Sequence, residues 1–154
     1  MTYSPQDAVA RLRDFPAQLT ALVGHLTDAE LDHKMPGEWT VRQIVHHLAD
    51  SHMSAVFRLK LPLTEDGAHF MTYDQDAFAE LPDYALPIEP ALMLLNGIHT
   101  RLVALLEGLT SEQWERTGTH PNWGVVSVAN VASRYAVHCD VHIEQITRVL
   151  AYRP

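Results

Sequence analysis

The chain reads as an all-α protein, a four-helix bundle. Three observations predict this: four segments carry apolar side chains in three-four steps, capping signals stand at helix starts, and no segment alternates apolar and polar residues as a strand would. At 154 residues the chain has the length of one domain, spanning 1–154, and can bury a core without disulfides.

The first helix is expected from Pro5 to Leu26, with Ala8, Leu12, Phe15, Leu19, Leu22 and Leu26 on one face and Pro16 as a candidate kink. Thr27 with Glu30 reads as a capping box for a short further turn. The second helix starts at Thr40, boxed by Gln43, and is expected to run to Leu61, where Pro62 ends it. Ile44, His47, Leu48, Ser51 and Ala55 form its inner face. Residues 62–87 make a connection too long for a tight helical hairpin; DQDAFAEL can form a short helix there, and a lid over a site is one role for such a segment. The third helix, Ile88 to Leu109, turns Leu92, Leu95, His99, Leu102 and Leu106 inward. THPNWGVV has the turn-forming composition of a loop. The last helix is capped near Ser127 and buries Val131, Tyr135, His138, His142, Ile146 and Val149. Four such helices bury their apolar stripes against one another.

Composition narrows the function. Against 19 Asp and Glu stand 11 Lys and Arg, with no basic cluster interleaved with aromatics, which argues against a nucleic-acid partner. No apolar run approaches the roughly 20 residues of a membrane span, and MTYSPQDAVARL lacks the layout of a signal peptide, so a cytoplasmic protein acting on a small molecule is expected. The lone Cys139 has no internal partner for a disulfide.

Ten histidines are dispersed along the chain. His138 and His142 stand four apart, about 40° around the helix axis, so two imidazoles project side by side. Either both are satisfied by hydrogen bonds or they share a metal; their place on an apolar stripe favours the metal, because buried imidazoles need partners and two neighbours disfavour joint protonation. His47 holds the matching inward position on the second helix, and bundle cores build metal sites from facing helices. His46 and His52 point about 100° and 140° away from it, toward flank or supporting roles. His99 is a candidate fourth contact or substrate contact, with a satisfied core histidine the commoner case. His25, His33 and His69 follow no pattern. Asp50 and Glu144 are candidate carboxylates behind a ligand, and Asp50 is the best available general base. Cys139 points about 100° from the histidine stripe and is expected to pack as a small buried residue. Trp123 is a candidate for lining a substrate entrance.

The runs WTVRQIVHHLADSHM (39–53), HPNWG (120–124) and HCDVHIEQI (138–146) resemble, in order and across nearly the whole chain, the signatures of the DinB/YfiT-like superfamily, and within it the YfiT-type proteins labelled metal-dependent hydrolases. The resemblance implies a four-helix bundle, frequently homodimeric, with zinc or nickel held by His47, His138 and His142. Where some relatives carry further histidines in the last helix, this chain has Asp140, Val141 and Gln145. The resemblance also implies two chemistries, hydrolysis or S-transfer from a low-molecular-weight thiol such as bacillithiol. A metal with an open position serves both, by easing proton loss from bound water or thiol. The reading carried forward is a metal-dependent enzyme, leaning to thiol transfer; the alternative is a noncatalytic metal-binding or stress-related bundle.

Overall fold

The computed structural model describes residues 2–153. In chain order the elements are α1 (Pro5–Val23), α2 (Asp28–Leu31), α3 (Val41–Thr64), β1 (Ala68–His69), α4 (Gln75–Ala79), a 3-10 turn (Pro82–Ala85), α5 (Glu89–Glu107), α6 (Ser111–Glu115), β2 (Thr117–His120), β3 (Gly124–Ser127) and α7 (Val128–Ala151). The four long helices, α1, α3, α5 and α7, form the bundle.

Local chemistry starts three of them. Ser4, Thr40 and Ser127 accept the backbone N–H of Asp7, Gln43 and Asn130, and in α3 and α7 the Gln43 and Asn130 side chains return the bond to the cap's own N–H. Such reciprocal caps satisfy N–H groups that a helix start leaves free. α1 stops at Val23, short of the expected Leu26, which lies in the following turn yet still packs on the core. α3 runs two residues past Pro62 rather than ending there. In a last turn the missing proline N–H removes only one helical bond, to the Arg58 carbonyl, and Glu65 N–H still reaches Leu61 O at 2.8 Å.

The helices are ringed in an unusual order. α1 packs against α5 and α7, and α3 likewise packs against α5 and α7. The first and second long helices, α1 and α3, therefore stand diagonally across the bundle, as do the third and fourth, α5 and α7. As a result α3 shares a wall with α7, the two helices that carry His47 and the HxxxH pair.

A small sheet is added to the expected bundle. β1 runs parallel to β2, and β2 pairs antiparallel with β3, in a small sheet. THPNWGVV is thus a hairpin rather than a plain loop. Strands of 2 and 4 residues are too short for a period-two pattern to declare itself. Gly124, at φ 72°, supplies the left-handed residue after the turn, and any side chain at Gly118 would run into the Phe70 ring lying across β2. The sheet rests against α3 and α7.

Candidate metal centre

α3 and α7 bring His47, His138 and His142 together, with one donor atom of each within 4.8 Å of the others. The edges that meet are Nε2: His138 Nε2 lies 3.3 Å from His47 Nε2 and 3.1 Å from His142 Nε2. Imidazoles bound to zinc at about 2.0–2.1 Å, with about 100–110° between bonds, hold their nitrogens about 3.1–3.4 Å apart. Burial pushes all three below the usual imidazole range, His47 to about 3 with the neighbouring His142 adding to the effect, and His138 well down. At neutral pH each offers a lone pair rather than a charge.

A chain of hydrogen bonds decides where those lone pairs point. Pro16 has no N–H for the carbonyl four residues back, so Leu12 O lacks its helical donor. His99 Nδ1–H donates to it instead, at 2.6 Å. Burial lowers the His99 pKa to about 4, so the ring is neutral and its Nε2 is bare. That Nε2 accepts from His52 Nδ1–H at 2.8 Å. His52, fully buried and also neutral, then has a bare Nε2 that accepts from His138 Nδ1–H at 3.3 Å. His138 is left with a bare Nε2 facing the other two histidines. His142 Nδ1–H donates to Gln145 Oε1 at 2.8 Å, which bares its Nε2 as well.

Two lone pairs 3.1 Å apart in a water-poor site repel each other unless a cation takes both. The donor set therefore fits a divalent metal. His47 is the least constrained of the three: its Nδ1 is buried with no hydrogen-bond partner among the described residues, and the Trp39 ring lies 4.9 Å from its own.

His47 and His138 also line a cleft of about 820 Å³. The 62–87 connection contributes Thr72, Tyr73 and Gln75 to its wall, and the β2–β3 hairpin contributes His120 and Trp123, whose rings stack at 3.7 Å. Trp123, a candidate entrance residue by sequence, is thus placed on the cleft.

Other sequence expectations fall elsewhere. Asp50 is not placed for either role given to it: its carboxylate accepts from Tyr84 O–H at 2.8 Å, it does not line the cleft, and burial raises its pKa. Glu144 is exposed. The partners behind the imidazoles are instead Gln145 and His52, a side-chain amide and another imidazole. His99 touches neither substrate space nor the triad, since it is 1% exposed and sits one ring further back. His52, which angle alone sent to a flank or supporting role, is fully buried because α5 and α7 both cover that side of α3. His46 Nε2–H donates to the Leu86 carbonyl at 3.0 Å. Cys139 is buried with its thiol pushed well up by desolvation. It clusters with His52 and His99, but the facing imidazole atoms are already joined by a hydrogen bond.

Sequence reasoning passed over Arg58 altogether. The signal was present, because Arg58 continues the His47, Ser51 stripe of α3 in three-four steps.

Comparison with known proteins agrees with this geometry. The family described as the DinB superfamily matches residues 11–146. Relatives from Bacillus pumilus and Oceanobacillus iheyensis, both named "Putative metal-dependent hydrolase", are 41% and 42% identical over 144 and 140 residues. These matches cover 92% and 90% of this chain and 82% and 81% of theirs. The solved structure of YfiT from Bacillus subtilis, described as a probable metal-dependent hydrolase with an unusual four-helix bundle topology, superposes with a TM-score of 0.90 at 38% identity. That match covers 94% of this chain and 85% of the other.

Proposed function

The chain belongs to the DinB superfamily, and from that premise we propose that it is a metal-dependent enzyme whose His47, His138 and His142 hold one zinc or nickel ion to activate a low-molecular-weight thiol against a small electrophile. The observation that carries the metal is the pair of bare Nε2 atoms 3.1 Å apart beside a cleft. A divalent ion held there lowers the pKa of a thiol or water bound at its open position.

Two features of the cleft favour the thiol. No Asp or Glu lines it, so no carboxylate stands ready as the general base that water attack calls for. His120 is no substitute: its Nδ1 accepts from Asn122 N–H at 3.1 Å, and burial with the charges of Arg58 and Arg134 depresses its pKa, so the neutral ring carries its proton on Nε2. That N–H can donate a hydrogen bond to a substrate or leaving group, and Trp123, stacked on His120, holds the ring in place. His52 and Gln145 meanwhile fix the orientation of His138 and His142.

Water activation is the second reading, supported by the names of the relatives. The two separate in one assay, in which metal-loaded and chelator-treated chain are incubated with monochlorobimane and bacillithiol, glutathione or cysteine, and in parallel with a panel of activated esters and amides. Metal-dependent bimane conjugation supports thiol transfer. Metal-dependent hydrolysis without conjugation transfers the conclusion to water, and the absence of both activities overturns the enzymatic reading.

A further inference from the structure

The two buried arginines of this protein live in opposite surroundings. Arg42, 7% exposed, is paired with two carboxylates, Asp28 at 2.8 Å and Asp32 at 2.7 Å. Arg58, 8% exposed, has none: its Nη1 donates to Tyr135 Oη and its Nη2 to Met71 O, each at 2.9 Å, while its Nε finds no partner. Among the described residues no Asp or Glu forms an ion pair with it. Arginine cannot shed its proton to escape that position, and a buried charge without a counter-ion is costly.

Arg58 lines the cleft that His47 and His138 border, and Arg134 stands at the same cleft, exposed, its guanidinium carbon 4.7 Å from the Trp123 ring. Arg134 has no carboxylate partner among the described residues either. The chain carries 19 acidic residues against 11 basic, yet none of the 19 lines this cleft. A local excess of positive charge in an acidic protein, with neutral histidines beside it, is an environment built for a negative ligand. The site is also rigid. Tyr135 Oη accepts from Arg58 and donates to Ser51 O at 3.1 Å, so the guanidinium is held before anything binds.

We propose that the cleft takes an organic anion, a small molecule whose carboxylate or phosphate group is held by Arg58 and Arg134 while its apolar body lies along Trp123 and Val126 toward His138. The pairing supplies Arg58 with the counter-ion that the fold withholds, through charge-assisted hydrogen bonds. This rests on the cleft being the substrate site of the reaction proposed above, but anion binding itself requires no metal.

The test is calorimetric titration of the full chain, as purified and after chelation, with phenyl phosphate, benzoate and the neutral benzamide. In the chelated chain the anions should bind at least about tenfold more tightly than benzamide, and the binding should weaken with added KCl. Whichever of phenyl phosphate and benzoate binds more tightly assigns the group. Arg134→Gln and Arg58→Gln should each lose most of that preference, with Arg58→Lys retaining part of it; Arg134 is exposed, so its variant reads the site even where Arg58→Gln fails to fold. Equal binding of benzamide and the anions, or anion binding unchanged in the Arg134→Gln and Arg58→Lys variants, overturns the proposal. Because the chelated arm excludes the metal, a failure here leaves metal binding and bimane conjugation standing, and a failure of those leaves this result standing.

Discussion

The bundle has a quiet pair of helices and a busy pair. Every buried residue of α1 is apolar, and α5 buries a single polar side chain, His99. α3 buries Arg42, His47, Ser51, His52 and Arg58, and α7 buries Ser133, Tyr135 and His142 with His138 half-buried. The first pair gains stability from transfer of apolar surface out of water; the second gives some of it up to place neutral imidazoles and a cation at one cleft. The two pairs meet in the Arg11–Asp140 ion pair of α1 and α7 and in the His99–His52 hydrogen bond of α5 and α3, and through the second the carbonyl freed by Pro16 sets the tautomers of His52 and His138.

Acid should break this arrangement most severely. In the unfolded chain the imidazoles titrate near 6.5, whereas in the folded, metal-free chain His47 stays neutral to about 3 and His99 to about 4, with His52, His138 and His142 also lowered by burial. Below about 6.5 the unfolded state therefore binds more protons, so folding stability falls as pH drops from 7 toward 4 and recovers as it rises. Melting temperatures of the chelated chain across that range should show a steep decline, partly reversed by metal near neutral pH; a flat profile would mean the histidines are not buried neutral.

Next in size is a change confined to the quiet pair. Leu102→Ala, at a fully buried position of α5, should cost about 2–5 kcal/mol in denaturant unfolding while leaving metal stoichiometry unchanged. His99→Leu should act on both: it leaves Leu12 O and His52 Nδ1–H without their buried partners, at a cost of about 1–3 kcal/mol each, and it should weaken metal binding about 10–100-fold, because His138 no longer has its Nδ1–H fixed. Its specific signature is the ¹⁵N spectrum of His138, which should show a mixture of tautomers in place of one. The smallest effect belongs to the surface: Arg148→Ala removes the exposed pair with Glu38 and should change stability by no more than about 1 kcal/mol.

The contrast also explains what the sequence made legible. The apolar stripes of α1 and α5 repeat over five turns, and the capping boxes at Thr40 and Thr27 are local, so helices and starts could be read directly. The triad was legible for the same reason, since His47, His138 and His142 lie on stripes defined by their neighbours. The sheet was not, because its strands are too short to show a period. Nor was the His52–His99–Leu12 chain, which depends on α5 and α7 flanking α3 from both sides, a consequence of the diagonal helix order that no stretch of sequence encodes. Asp50 misled because a carboxylate near a histidine in sequence suggests a partner, while the fold turns it to Tyr84.

If three imidazoles from α3 and α7 form one metal centre with an open position, titration of the chelated chain with Co²⁺, followed by visible absorption, will show it most directly. One equivalent should bind with the intense bands of low-coordinate cobalt, the bands should shift on adding a thiol, and His142→Ala should abolish them while leaving the circular dichroism of the bundle intact. Absence of cobalt binding, or binding unchanged in His142→Ala, would contradict the account.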